Sequence, residues 1–102
     1  MKLYNKLIRD KIPEIIEADG KNYEIRTLGE EEFGDYLRKK LKEEMEEYLE
    51  SKNPEELADI IEVIYSLADN HGIKKEELEK IRSKKKEKRG GFDKKLFLEK
   101  VW

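Results

Sequence analysis

The sequence predicts a mainly α-helical domain with a small β accessory. Apolar residues recur at helical spacing through three long segments, 30–50, 54–70 and 74–88. Turn signals punctuate the chain at Asp19-Gly20, Gly29, Asn53-Pro54, His71-Gly72 and Gly90-Gly91. Two short stretches, 23–28 and 96–101, read as strands that pair with each other. A length of 102 residues without repeat or low-complexity linker predicts one domain, 1–102. Charged residues are 47% of the chain and hydrophobic ones 36%, so the core must be economical. Oligomerisation or a bound metal is expected to complete it.

In chain order, Pro13 suits a first helical turn and Asp19-Gly20 a stop, which gives a short helix over 13–18. Tyr23 to Leu28 alternates and ends at Gly29, as a short strand does. Glutamates at 30–32 open the first long helix on the favourable side of its dipole. Asn53 then reads as the N-cap and Pro54 as the first residue of the second long helix, which His71-Gly72 closes. The third runs from Lys74 to about Lys88 and stops at Gly90-Gly91. Leu96 to Val101 forms the second strand of the accessory.

Composition excludes several classes of function. With no cysteine there is no disulfide scaffold, thiolate zinc site or cysteine nucleophile. No apolar run approaches the roughly 18 residues of a membrane span, and residues 1–6 lack the apolar stretch of a signal peptide. The expectation is a soluble, cytoplasmic protein with no membrane partner. A net charge of −2 argues against general binding of nucleic-acid polymers.

The placement of acidic residues is more informative. With about 100° per residue and Leu37 at zero, Leu37, Tyr48, Leu41 and Met45 fill an arc from 0° to about 80°, and Phe33 lies near 320°. Glu44 falls near 340°, inside that apolar arc, with Glu47 and Glu43 on one flank. A charge on a core-facing stripe must be paired, protonated or bound to a cation. On the next helix, measured from Leu57, Glu56 sits near 260° between Val63 and Leu67, and Asp59 sits beside it. The apolar arc of this second helix is wide enough to imply more than one neighbour. A tight turn joins the two helices, so they should pack antiparallel and bring four carboxylates together near it. An all-oxygen cluster without Cys or His selects hard ions, Mg²⁺ first and Mn²⁺ second. On the third long helix Leu78, Arg82, Lys85 and Arg89 share one stripe, a basic face suited to a polyphosphate bridging metal and cations.

Lys40-Leu41-Lys42-Glu43-Glu44-Met45-Glu46-Glu47 followed by Glu56-Leu57-Ala58-Asp59 resembles the Glu-Glu-x-x-Glu … Glu-x-x-Asp signature of the all-α nucleoside triphosphate pyrophosphohydrolases. These include the MazG proteins and phosphoribosyl-ATP pyrophosphohydrolase. Tyr4 to Pro13 and Lys85 to Phe92 are similar to a compact single-domain branch that removes non-standard nucleotides. The resemblance covers nearly the whole chain and implies a four-helix-type bundle, often completed by a second subunit as a homodimer or higher homo-oligomer. It implies Mg²⁺-dependent hydrolysis of a nucleoside triphosphate to monophosphate and pyrophosphate. Glu44 and Glu47 match the first metal-ligand pair, Glu56 and Asp59 the second. Arg82, Lys85 and Arg89 match basic positions near the phosphates, and Lys6 and Arg9 the N-terminal motif. Either Glu43 or Glu47 would orient or deprotonate the attacking water. Only a short turn separates the acidic pairs here, where many relatives carry a longer insert.

Plainer readings stand beside these. Glu43, Glu44, Glu46 and Glu47 lie in a Lys/Glu-rich helix where most acids are solvated. Asn53-Pro54-Glu55-Glu56 is also a capping-box pattern, in which Glu56 reaches back to Asn53. Lys40 is placed for an intrahelical pair with Glu44. The rival function is a nucleic-acid-binding module using Lys84 to Arg89, and a third reading is a purely structural helical dimer.

Overall fold

The computed structural model describes residues 1–102. It contains four helices, α1 (Ile12–Ala18), α2 (Glu30–Ser51), α3 (Glu55–Asn70) and α4 (Lys75–Arg89), and no strand. Each helix begins and ends within a residue or so of the expected place. No helix is long and apolar enough to cross a membrane.

The α2–α3 hairpin is the packed part of the molecule. Glu30, Glu31 and Glu32 occupy the first turn of α2, where the helix dipole favours negative charge. Lys52 ends it in the left-handed region, with φ 56°, and donates its N–H to the Tyr48 carbonyl at 2.7 Å. Asn53 then caps α3, its Oδ1 accepting the Glu55 N–H at 3.0 Å, which satisfies one of the donors a helix start leaves free. The reversal takes three residues, so α3 returns along α2. At the far end an added Cβ on Gly34 would lie 2.8 Å from the Asn70 Oδ1. The start of α2 thus rests against the end of α3, and the pair is antiparallel. Leu37, Val63 and Ala68 are the buried apolar residues of this contact.

The rest of the chain packs little. α4 touches α3 and makes no contact with α2. Ile73 and Leu78 are half-buried at the α3–α4 corner, and the Lys75 ammonium sits 4.7 Å from the centre of the Tyr65 ring. From Glu79 to Trp102 every residue is exposed. The radius of gyration is 17.9 Å and the longest extent 60 Å, against about 13 Å for the radius of a compact chain of this length.

The expected β accessory does not form. Residues 23–28 and 96–101 are irregular and exchange no backbone hydrogen bonds. A lone two-stranded pair needs an apolar surface beneath it to be stable. Here Tyr23, Ile25, Leu96, Leu98 and Val101 are all exposed. Arg26 is instead held to the start of α2, donating to both carboxylate oxygens of Glu32 at 2.9 and 2.8 Å. That bidentate pair ties the first segment to its own helix.

Candidate metal centre

Near the turn that joins α2 to α3, five carboxylates meet. Glu43, Glu44 and Glu47 come from consecutive turns of α2, and Glu56 and Asp59 from the first turns of α3. One oxygen from each of Glu43, Glu44 and Glu47 lies within 4.8 Å of the others, and the same holds for Glu44, Glu56 and Asp59. Glu44 belongs to both groups and is the hub. It is 8% exposed, the charged residue buried with the core, as its position inside the apolar arc of α2 requires.

Burial and like charge both act against ionisation here. Desolvation pushes the Glu44 carboxyl above its ordinary value, the neighbouring Glu47 carboxylate adds to the shift, and Lys40 opposes it. Glu56 is raised by desolvation first, then by the Asp59 carboxylate beside it and by the charges of Glu47 and Glu44. Its Oε2 is buried and has no hydrogen-bond partner. The capping-box alternative would have supplied one. It is not made, because the Asn53 N–H donates to the Ser51 Oγ at 3.1 Å, and Glu56 is left to face the cluster.

Three cations surround the five acids. The Lys40 ammonium lies 3.4 Å from Glu43 and 3.5 Å from Glu44, and its side chain is only 17% exposed. The N-terminal segment bridges the two helices. Lys6 stands 3.8 Å from Glu43 on α2, and Arg9 donates to the Asp59 Oδ1 on α3 at 2.7 Å. A buried carboxylate oxygen without a partner costs on the order of 1–3 kcal/mol, and a cation placed among these oxygens would satisfy it. The donor set fits a hard divalent ion, being all oxygen and drawn from two helices.

Of the residues expected at the site, the chain brings some together and leaves others apart. Glu43, Glu44, Glu47, Glu56 and Asp59 converge, with Lys6 and Arg9 at the rim. The basic stripe lies elsewhere. Arg82 donates to both carboxylate oxygens of Glu79 on its own helix, at 2.9 and 2.5 Å, and Lys85 and Arg89 are exposed on a helix that does not reach α2. Two contributors were not foreseen. Gly34 sets the close approach of α2 to α3, and its signal was a glycine inside an otherwise uninterrupted helical pattern. Ser51 frees Glu56 from capping, and nothing in its local sequence marks that role. No family model matches the chain, and neither a curated protein nor a solved structure is significantly similar to it.

Proposed function

We propose that the chain is a Mg²⁺-dependent nucleoside triphosphate pyrophosphohydrolase that acts on a nucleotide, including non-standard ones, in a house-cleaning role. The observation that carries this reading is the unpartnered, buried Glu56 Oε2 beside buried Glu44. Charged groups are not left so unless something of opposite sign completes them. The resemblance of the two acidic helices to the pyrophosphohydrolase signature supplies the reaction.

In this mechanism Glu44, Glu47, Glu56 and Asp59 hold the divalent cation, with Mn²⁺ as an alternative to Mg²⁺. When bound, such a cation neutralises phosphate charge and lowers the pKa of water. Glu43 or Glu47 orients a water toward the α-phosphorus and accepts its proton. A bond forms from the water oxygen to that phosphorus, the bond to the bridging oxygen of the β-phosphate breaks, and pyrophosphate leaves with the electron pair. Arg9, more than half exposed and held only by Asp59, exchanges that partner for a phosphate oxygen, and Lys6 does the same from Glu43. Arg82, Lys85 and Arg89 serve the leaving pyrophosphate. The protein works in the cytoplasm as a homodimer or higher homo-oligomer. The support for assembly is exposed area: a folded monomer of 12.2 kDa exposes about 6,100 Å², whereas this chain exposes 10,002 Å².

The test is pyrophosphate release from a mixed nucleotide panel, with Mg²⁺ and with EDTA, by the wild type and by Glu44→Gln. Metal-dependent release lost in the variant supports the reading. A folded, metal-supplied protein that releases nothing from any nucleotide sinks it. The rival reading, a nucleic-acid-binding module, draws on the exposure of Lys84 to Arg89. It requires binding that weakens steeply with salt and is indifferent to Glu44→Ala.

A further inference from the structure

Charge is segregated along this molecule. Residues 43–59, the turn end of the α2–α3 hairpin, carry eight acidic side chains and one basic one. Residues 82–102 carry nine basic and three acidic. The two regions do not meet within one chain. α4 leaves α3 after its first turn, and its remaining 11 residues from Glu79, about 16 Å of helix, are exposed on all sides. Beyond Gly90, whose φ of 81° turns the chain out of the helix, Phe92, Leu96, Phe97, Leu98, Val101 and Trp102 are each at least 77% exposed. On α3, beside Glu56 and Asp59, Leu57, Ile61 and Ile64 form an apolar strip that the chain covers only in part, leaving them 37–47% exposed.

We propose that α4 and the tail of one copy dock on the acidic end of the α2–α3 hairpin of a second copy, so that Arg82, Lys85 and Arg89 complete the carboxylate site in trans. Two features single out a second copy as the occupant. The first is charge complementarity between the two ends of the same molecule, which favours a reciprocal arrangement about a two-fold axis, with the basic end of each copy against the acidic end of the other. The second is area. The excess over a compact monomer is about 3,900 Å² per chain, well above the roughly 800 Å² per partner of an ordinary stable interface. The division of labour follows from side-chain chemistry. The free part of α4 has one large apolar residue, Ile81, and suits an acidic surface, whereas the aromatic tail suits the Leu57–Ile61–Ile64 strip. The role of the three cations in holding phosphate rests on the activity proposed above; the docking does not.

The experiment uses full-length chain with natural and with ¹⁵N isotopes, refolded together and cross-linked with a zero-length carbodiimide, which joins lysine to carboxylate. Cross-links from Lys84, Lys85, Lys86 or Lys88 to Glu43, Glu47 or Glu55 are expected to include mixed-isotope pairs beside the two pure ones. They should be depleted several-fold by Lys85→Glu/Arg89→Glu and accompanied by a dimer or larger species in sedimentation. Pure-isotope pairs alone would place the contact within one chain and overturn the proposal, as would a monomer in sedimentation or an absence of these cross-links. Mixing Glu44→Gln with Arg89→Ala, each expected to release less pyrophosphate than the wild type, should raise release above the mean of the two, because one hybrid site then carries both wild-type halves. Mixed-isotope cross-links from a wild type that hydrolyses nothing would sink the activity and leave the docking standing. Hydrolysis by a protein lacking those cross-links would do the reverse.

Discussion

The α2–α3 hairpin and α4 are equally regular helix, yet the hairpin packs along its length and α4 only at its first turn. In α2 and α3 apolar residues occupy a stripe that finds a partner one short turn away. Burial of Leu37, Val63 and Ala68 follows, and Glu44 is drawn in with them. In α4 the stripe that begins with Leu78 continues as Arg82, Lys85 and Arg89, so the helix has nothing to bury beyond its first turn. Its ion pairs are local, Arg82 with Glu79, and exposed pairs of this kind add at most about 1 kcal/mol. A helix can thus be fully specified by its own sequence and still pack by no more than its first turn in the tertiary structure of a single chain.

The sharpest way to break this comparison is at its hub. Glu44→Gln should lower metal-dependent pyrophosphate release by about two orders of magnitude or more, since even residues that only support metal ligands cost 10–100-fold. It should also leave the melting temperature in EDTA unchanged or higher, because the buried charge is gone. A large fall in that melting temperature would make Glu44 structural.

Stability should divide along the same line. Leu37→Ala, at 3% exposure, is expected to cost about 2–4 kcal/mol. Ile81→Ala, at 41% exposure on α4, should cost less than about 0.5 kcal/mol in a monomeric state. Urea unfolding of both at matched, low concentration decides it. A comparable loss for Ile81→Ala would mean that α4 is packed in solution.

The pH dependence of the metal-free protein sharpens the electrostatic side. Glu44 and Glu56 have raised folded-state pKa values, so the folded chain holds protons that the unfolded chain releases near 4.5. Stability contributed in this way is present below that value and lost as pH rises through the folded values. Glu32 and Glu79, lowered by Arg26 and Arg82, act with the opposite sign and below 4.5. Urea midpoints in EDTA should therefore fall as pH rises above 4.5, and Mg²⁺ should flatten the fall. A midpoint that rises through this range would show that the cluster carries no excess repulsion.

The smallest expected effect is at the turn. Asn53→Ala removes the acceptor of the Glu55 N–H and should cost about 1 kcal/mol, read as a fall of a few degrees in melting temperature. No change would mean that water caps α3 equally well.

All four helices and the meeting of the two acidic pairs were legible in the chain. Helical period is a local property: residues three and four apart share a face whatever surrounds them, so Glu44, Glu47, Glu56 and Asp59 were bound to lie beside the apolar arcs of α2 and α3. A three-residue turn left those helices no choice but to run antiparallel. What the tertiary structure decided were matters of competition between alternative partners, some of them distant in sequence. The Asn53 N–H donates to the Ser51 Oγ instead of to Glu56, which leaves a Glu56 oxygen unpartnered. Arg26 takes Glu32 in preference to a strand neighbour, and the two expected strands stay apart for want of an apolar surface to lie on. Arg9 crosses 50 residues of sequence to reach Asp59. The basic stripe was visible on its helix, but its distance from the acids depended on whether α4 had anything to bury against α2, and in one chain it has nothing.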